Sequence, residues 1–280
     1  MIILDLQQTM ISNLMAQLGK HTNVELEEGL LRHMVLNSIR SYIAQFGKEY
    51  GELVIACDDK NYWRRQLFPY YKANRKKARE QSDIDWKTVF DSLNKFKEEL
   101  KEYFPYRVIQ VETAEADDVI ATIVKHVDEP ILILSGDKDF VQLQLTNRIK
   151  QYDPVRKKWI QHNDPYKYLQ EHIMKGDQGD GIPNFLSNDN CFVIGQRQKP
   201  LRQSKIDQWV GKKPDQFCTV DMFRNFKRNE QLIDLNYIPS EIQTKIIDQF
   251  NTQSGKKRDK LFNYFIKNKL KNLMESVGDF

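Results

Sequence analysis

The chain has 280 residues, 40% of them hydrophobic and 29% charged. That size suits one large domain, or a main domain with a smaller appendage, and excludes a disordered chain too poor in apolar residues to build a core. Lys+Arg at 43 against Asp+Glu at 39 leaves a net charge of only +4, which neither demands nor excludes a nucleic-acid partner, so the distribution of charge along the chain has to decide.

Four short apolar runs punctuate the first half: Ile2-Leu4, Leu53-Ala56, Val108-Val111 and Ile131-Leu134. Continuous β-branched and Leu-rich runs of this length suit strands buried on both faces. Helical segments separate them. Thr22 with Glu25 three residues later has the form of a capping box, opening an amphipathic stretch to about Phe46. Trp86, Val89, Phe90, Leu93, Phe96 and Leu100 recur at helical spacing and stop before Pro105. A third helix is expected from Ala114 to about Val127. Strand and helix in alternation predict an α/β fold, with a mostly parallel central sheet and helices on both faces. Beyond about residue 165 the pattern turns helical and irregular, and Asn188 to Pro214 is expected to hold a long loop.

The three cysteines, Cys57, Cys191 and Cys218, lie far apart with no CxxC spacing. A disulfide framework and a thiolate zinc site are therefore not expected, and a cytoplasmic compartment is. No basic-then-apolar leader opens the chain, and no run reaches the ~18 apolar residues of a membrane span.

What ends each apolar run carries the chemistry. The first ends in Asp5 and the second leads to Asp58-Asp59. The third leads into Glu115-Ala-Asp117-Asp118, and the fourth into Gly136-Asp137-Lys-Asp139. Ligands of open α/β sheets bind outside the carboxyl ends of the strands. A lone aspartate there is ordinarily a cap or turn residue, but four acidic strand ends converge on one edge. Two carboxylates ~4 Å apart repel by roughly 4 kcal/mol at an effective dielectric near 20, so such a cluster calls for bound cations. Oxygen donors without histidine or cysteine select a hard divalent ion, Mg²⁺ or Mn²⁺. The five histidines lie outside these segments, which disfavours zinc. Asp177 and Asp180, in the glycine-rich turn Lys175-Gly-Asp-Gln-Gly-Asp180, are spaced to reach one ion, the alternative being a plain surface turn.

Residues 60–80 hold eight Lys/Arg and one acid, interleaved with Tyr62, Trp63, Phe68, Tyr70 and Tyr71. Basic side chains contact phosphates and aromatic rings stack on exposed bases. Arg64, Arg65, Lys76, Lys77 and Arg79 are the candidate phosphate contacts. The competing reading is a solvated basic helix with its aromatics in the core. Hard metals beside a phosphate-binding block point to phosphodiester hydrolysis.

In order along the chain, Ile-Leu-Asp5, Ala-Cys-Asp58, Tyr62-Trp-Arg-Arg65, Tyr70-Tyr-Lys-Ala-Asn-Arg75, Glu115-Ala-Asp-Asp118, Gly136-Asp-Lys-Asp139 and Lys175-Gly-Asp-Gln-Gly-Asp180 resemble the motifs of the 5′-nuclease, or flap endonuclease, superfamily, and within it the phage ribonuclease H branch. The resemblance implies two metals, Mg²⁺ with Mn²⁺ as a substitute. Asp5, Asp58, Glu115, Asp117 and Asp137 would group around the first, and Asp139, Asp177 and Asp180 around the second. Asp118 matches a further family acid. Lys72 and Arg75 match the basic pair that contacts the scissile phosphate, and Tyr71 would stack on a displaced base. The implied organisation is an α/β core over residues 1–165 with a basic helical arch at about 60–85. A mainly helical duplex-binding region over 166–280, carrying a modified helix-hairpin-helix, belongs to the same compact unit.

The implied activity is 5′→3′ cleavage that removes RNA primers, adjacent DNA or 5′ flaps during phage replication, in the host cytoplasm. The substrates would be RNA–DNA hybrids and flapped, forked or nicked duplexes. A single-stranded-DNA-binding protein and a sliding clamp are candidate partners, the protein is expected to be a monomer, and no membrane is involved. The alternatives are a PIN-like single-strand ribonuclease and a non-catalytic structure-specific DNA binder. One departure stands out: where the family continues with a glycine-rich hairpin, this chain reads Gly181-Ile-Pro-Asn184. That argues against the family's K⁺ site and assigns duplex grip to Arg197, Lys199, Arg202 and Lys205. The final Met274–Phe280 stretch reads as a frayed end, the alternative being a peptide that docks on a partner.

Overall fold

Alternation along the strands builds the molecule. A computed structural model describes residues 1–18, 28–253 and 257–280 of the chain, without the Lys77 side chain. The capping box expected at Thr22 and Glu25 lies outside the described residues. Strands β1 (Ile2–Asp5), β2 (Leu53–Ala56), β3 (Arg107–Ile109), β4 (Ile131–Leu134), β5 (Ile149–Asp153) and β6 (Lys158–Ile160) form one sheet in the order β3-β2-β1-β4-β5-β6. All neighbours are parallel except β5 and β6. The four apolar runs are the first four strands; β5 and β6 extend the sheet beyond them.

Register and the two-residue strand period sort the side chains into two cores. Ile2 pairs with Leu53 and Leu132, and Leu4 with Ile55 and Leu134; all six face one side. Ile3, Val54 and Ile133 face the other. Because both faces are covered, the strands read as continuous apolar runs.

The first core is closed by α1 (Leu6–Leu18), α2 (Glu28–Tyr50) and α5 (Trp86–Tyr103), joined late in the chain by α11 (Leu261–Lys267) and α12 (Lys271–Met274). Helix α5 starts on an Asp85 cap that accepts the Lys87 and Thr88 amides at 3.1 and 3.2 Å. The second core packs α6 (Ala116–His126) against α10 (Ser240–Thr252). The last residues are not frayed: Phe280 is buried with its ring 5.3 Å from Phe265 and 6.0 Å from Phe104, and Val277–Asp279 forms a 3₁₀ turn before it.

A third apolar cluster ties the basic segment to the later helices. That segment contains α3 (Arg64–Leu67) and α4 (Ala73–Glu80); its partners are α7 (Pro165–Lys175), α8 (Gln203–Trp209) and α9 (Val220–Ile233). Phe68 and Tyr71 bury against Ile173, Met174, Ile182, Phe226 and Leu232. The stretch Asn188 to Pro214, expected to hold a long loop, has one as far as Arg202, after which α8 begins.

Candidate active site

The parallel order puts the carboxyl ends of β1 to β4 on one edge, with β1 between β2 and β4, where the strand order reverses. Asp5 is the last residue of β1; its carboxylate accepts the Gln8 amide at 3.0 Å and the Ser135 hydroxyl at 3.1 Å. Asp58, just past β2, accepts the Ala116 amide at 2.7 Å and so meets the start of α6. Beyond β4, Asp137 accepts the Asp139 amide at 2.9 Å. Glu115 precedes α6 and is fully buried.

Asp139 opens a second acidic group. Helix α7 packs on the 3₁₀ turn Lys138–Leu143 and ends at Gly176. Gly176 has φ +67°, and a Cβ there would lie 2.4 Å from the Ile182 carbonyl, so only glycine permits the turn that follows. In that turn Asp177 accepts the Asp180 amide at 2.9 Å. One residue contradicts the sequence reading that no histidine lies near the acids: His172, on α7, places Nδ1 3.3 Å from Asp139 and Nε2 3.5 Å from Asp177. No sequence spacing joins His172 to Asp139; packing of α7 on the turn does.

Crowding shows in the protonation balance. Burial, then the Asp58 and Asp137 charges, push Asp5 up to about 7. Burial and Asp137 push Asp139 up to about 8, against the opposing pull of His172. Asp58 is raised mainly by burial, and Asp117 by burial and then Asp137. Burial opposes ionisation of Glu115 too, but the Lys72 ammonium and Arg64 guanidinium outweigh it and hold Glu115 below its ordinary value. Asp5, Asp58, Glu115, Asp117, Asp137, Asp139, Asp177 and Asp180 thus form one electrostatically linked edge.

Asp118 does not join them. It turns back to accept the Glu115 amide at 2.9 Å, as the N3 acid of a capping box does, and meets Trp63 Nε1 at 3.0 Å and Arg64 Nη2 at 2.9 Å. Its carboxylate is committed to the interior.

The basic segment splits in two. Arg64 is not on a nucleic-acid face: it is 3% exposed and clamps Glu115 at 2.8 Å, Asp118, and the Leu232 carbonyl at 2.9 Å. Tyr71 offers no ring face to a base. It is buried, with its hydroxyl 3.0 Å from Glu115 and 2.9 Å from Asp180. Trp63 and Phe68 are buried as well. Apolar area outweighed stacking potential for these rings, as the core-packing alternative anticipates. Lys72 is buried between Glu115 and Asp180, its φ of +56° a left-handed turn that aims the ammonium inward. Arg75 pairs with Asp180 while staying exposed. Arg65, Lys76 and Arg79 are exposed, with Arg79 4.7 Å over the Phe90 ring. A cleft of about 540 Å³ is lined by Asp58, Tyr62, Arg75, Arg79 and Lys97.

At the altered hairpin, Asn184 does what the missing glycines do not. Its side chain accepts the Leu186 amide at 3.1 Å and the Ser187 hydroxyl at 2.9 Å, and donates to the Lys199 carbonyl at 2.8 Å. The loop is folded on side-chain bonds. Arg197, Lys199, Arg202 and Lys205 all lie exposed along it and into α8.

Eight carboxylates against three close cations, Arg64, Lys72 and Arg75, form a donor set that fits divalent metal ions, which need ionised oxygen ligands and offset the repulsion among them.

Residues 4–174 match the family model described as 5′-3′ exonuclease, N-terminal resolvase-like domain, and residues 167–280 match that of the T4 RNase H C-terminal region. The chain is 32% identical to the ribonuclease H of Enterobacteria phage T4, over 99% of its own length and 95% of that protein. Among solved structures, the T5 D15 protein co-crystallised with metal ions aligns with a TM-score of 0.64 at 17% identity, covering 91% of this chain and 99% of that one. A T5 D15 flap endonuclease complex with DNA and metal ions aligns at 0.61 and 18%, covering 91% and 99%. With its acid-lined sheet edge and both halves matched, the chain belongs to the 5′-3′ exonuclease family and is a phosphodiester-cleaving nuclease.

Proposed function

We propose that this nuclease is Mg²⁺-dependent and works 5′→3′ on RNA–DNA hybrids and on flapped or nicked duplexes, removing primers and adjacent DNA during phage replication in the host cytoplasm. The observation that carries the reading is the linked acidic edge, with Lys72 buried against it and Arg75 exposed at its rim. Asp5, Asp58, Glu115, Asp117 and Asp137 would hold one ion and Asp139, Asp177 and Asp180 another. Ions bound there supply Lewis acidity for hydrolysis.

The chain's own residues do the rest. Lys72 and Arg75 bring positive charge to the scissile phosphate, where charge develops. Arg64 and Tyr71 fix Glu115. The exposed Arg65, Lys76 and Arg79 contact the strand's phosphates, Arg79 from the wall of the cleft. Arg197, Lys199, Arg202 and Lys205 grip the duplex through phosphates, without a K⁺ site. The helical region beyond residue 166 serves as the duplex-binding part of one compact, monomeric unit, open to a single-stranded-DNA-binding protein or a sliding clamp.

The test digests a 5′-labelled flap, a nicked RNA–DNA hybrid and a linear RNA with Mg²⁺ and with EDTA. Cleavage of the first two, abolished by EDTA, is expected. Cleavage of linear RNA alone favours a PIN-like ribonuclease instead. Asp137→Asn is expected to bind the flap yet cut it poorly; wild-type turnover overturns the metal assignment. Changing Arg197, Lys199, Arg202 and Lys205 together to Ala is expected to weaken duplex affinity and flatten its salt slope, and an unchanged slope removes them from the interface.

A further inference from the structure

His172 sits among the second acidic group, where an all-oxygen site has no need of it. Its side chain is 14% exposed, so it is not a solvated surface residue. The Tyr168 ring, one turn earlier on α7, packs edge-on at 5.9 Å and limits where the imidazole can swing. The three side chains come from separate positions: Asp139 from the turn after β4, His172 from the end of α7, and Asp177 from the turn beyond it. One donor atom from each lies within 4.8 Å of the other two. Ligand atoms bonded to a divalent ion at ~2.1 Å stand about 3–4 Å apart, so a small closure brings these three onto one ion.

We propose that His172 is a metal-specificity residue of this nuclease, adding an imidazole nitrogen to the Asp139–Asp177 site and shifting that site's preference from Mg²⁺ towards Mn²⁺ and other first-row transition ions. The inference rests on the metal reading of the acidic edge and goes beyond it in ligand type. Mg²⁺ prefers oxygen donors and keeps several of its waters, so a nitrogen adds little to its binding. Imidazole suits first-row transition ions, whose affinities for nitrogen sites rise along the series from Mn²⁺. The site then keeps its carboxylates for a hard ion while discriminating by one nitrogen donor. A residue that only positioned the carboxylates would strengthen both ions alike.

Pulsed electron paramagnetic resonance of the full-length protein loaded with Mn²⁺ reads the bond directly. A ¹⁴N modulation is expected from bound Mn²⁺, moving to the ¹⁵N frequency when histidine is isotopically labelled, with no change of sequence. In His172→Gln, which retains a polar amide but no imidazole, that modulation is expected to vanish. Mn²⁺ affinity should fall by about tenfold or more, while Mg²⁺ affinity, measured by competition, shifts by less than about threefold. Melting of the variant in EDTA checks that it folds. Bound Mn²⁺ without nitrogen modulation overturns the proposal, as does an equal loss of affinity for both ions; the nuclease reading survives either result. Failure of the wild-type protein to bind Mn²⁺ or Mg²⁺ at all overturns both.

Discussion

The Lys72 amide donates to the Asp180 carbonyl at 2.7 Å, and the side chains of the same two residues pair at 3.4 Å. Asn74 Nδ2 adds a bond to the Gln178 carbonyl at 2.7 Å. The root of the basic segment and the acidic turn after α7 are therefore tied together by backbone and side chain alike. Gly181 makes the fit tight: its φ is +73°, and a Cβ there would lie 3.0 Å from the Tyr70 carbonyl.

Lys72→Ala should lower the rate at saturating substrate by about 10²–10³, the usual cost of one positioned charge-stabilising donor. Single-turnover cleavage separates this from binding, and an unchanged rate removes Lys72 from the chemistry.

Arg64→Gln leaves Asp118 buried with no full countercharge. The expected loss of stability is about 3–5 kcal/mol, the range for removing one partner of a buried pair. Urea unfolding measures it. Arg64→Gln combined with Asp118→Asn should cost less than the sum of the singles, because each single change strands the other group. Additive losses would mean the pair is not coupled.

The raised acids set a pH trend for the metal-free protein. Asp5, pushed to about 7, and Asp139, pushed to about 8, hold protons that the unfolded chain has lost above about pH 4. Their stabilisation is complete at low pH and disappears as pH rises through 7 to 8. The lowered Glu115 and Asp177 act with the opposite sign, but in the acid range. Tm in EDTA is thus expected to fall between pH 5 and pH 8, with Mg²⁺ restoring more stability at the upper end, where the ligands are already ionised. A Tm in EDTA that climbs over this range contradicts the trend.

Phe280→Ala should destabilise by about 3–5 kcal/mol through the cavity left between Phe104 and Phe265. A frayed residue would cost almost nothing, so calorimetry decides.

The first four strands, α5 and the acidic strand ends are legible because each is a local pattern: apolar run, helical period, carboxylate. The polar strand β5, with Lys150 and Gln151 inside it, gave no such run, and β6 is short and exposed. Arg64 and Tyr71 resemble their neighbours in sequence; Arg64 is drawn inward by Glu115 and Asp118, and Tyr71 by the third apolar cluster. His172 lies far along the chain from Asp139, and tertiary packing alone unites them.

The sheet's register also bears on the fidelity of folding. Asp5 follows Leu4 directly, so the pairing that seats Leu4 beside Ile55 and Leu134 is the one that delivers the carboxylate to the edge. A slip of β1 by one residue would exchange its two apolar faces, exchange packing partners on both sides of the sheet, and withdraw or bury Asp5 at the same time. Misthreaded molecules that bind substrate but lack chemistry are therefore suppressed by the core itself: a chain that has packed correctly has already aimed its central acid.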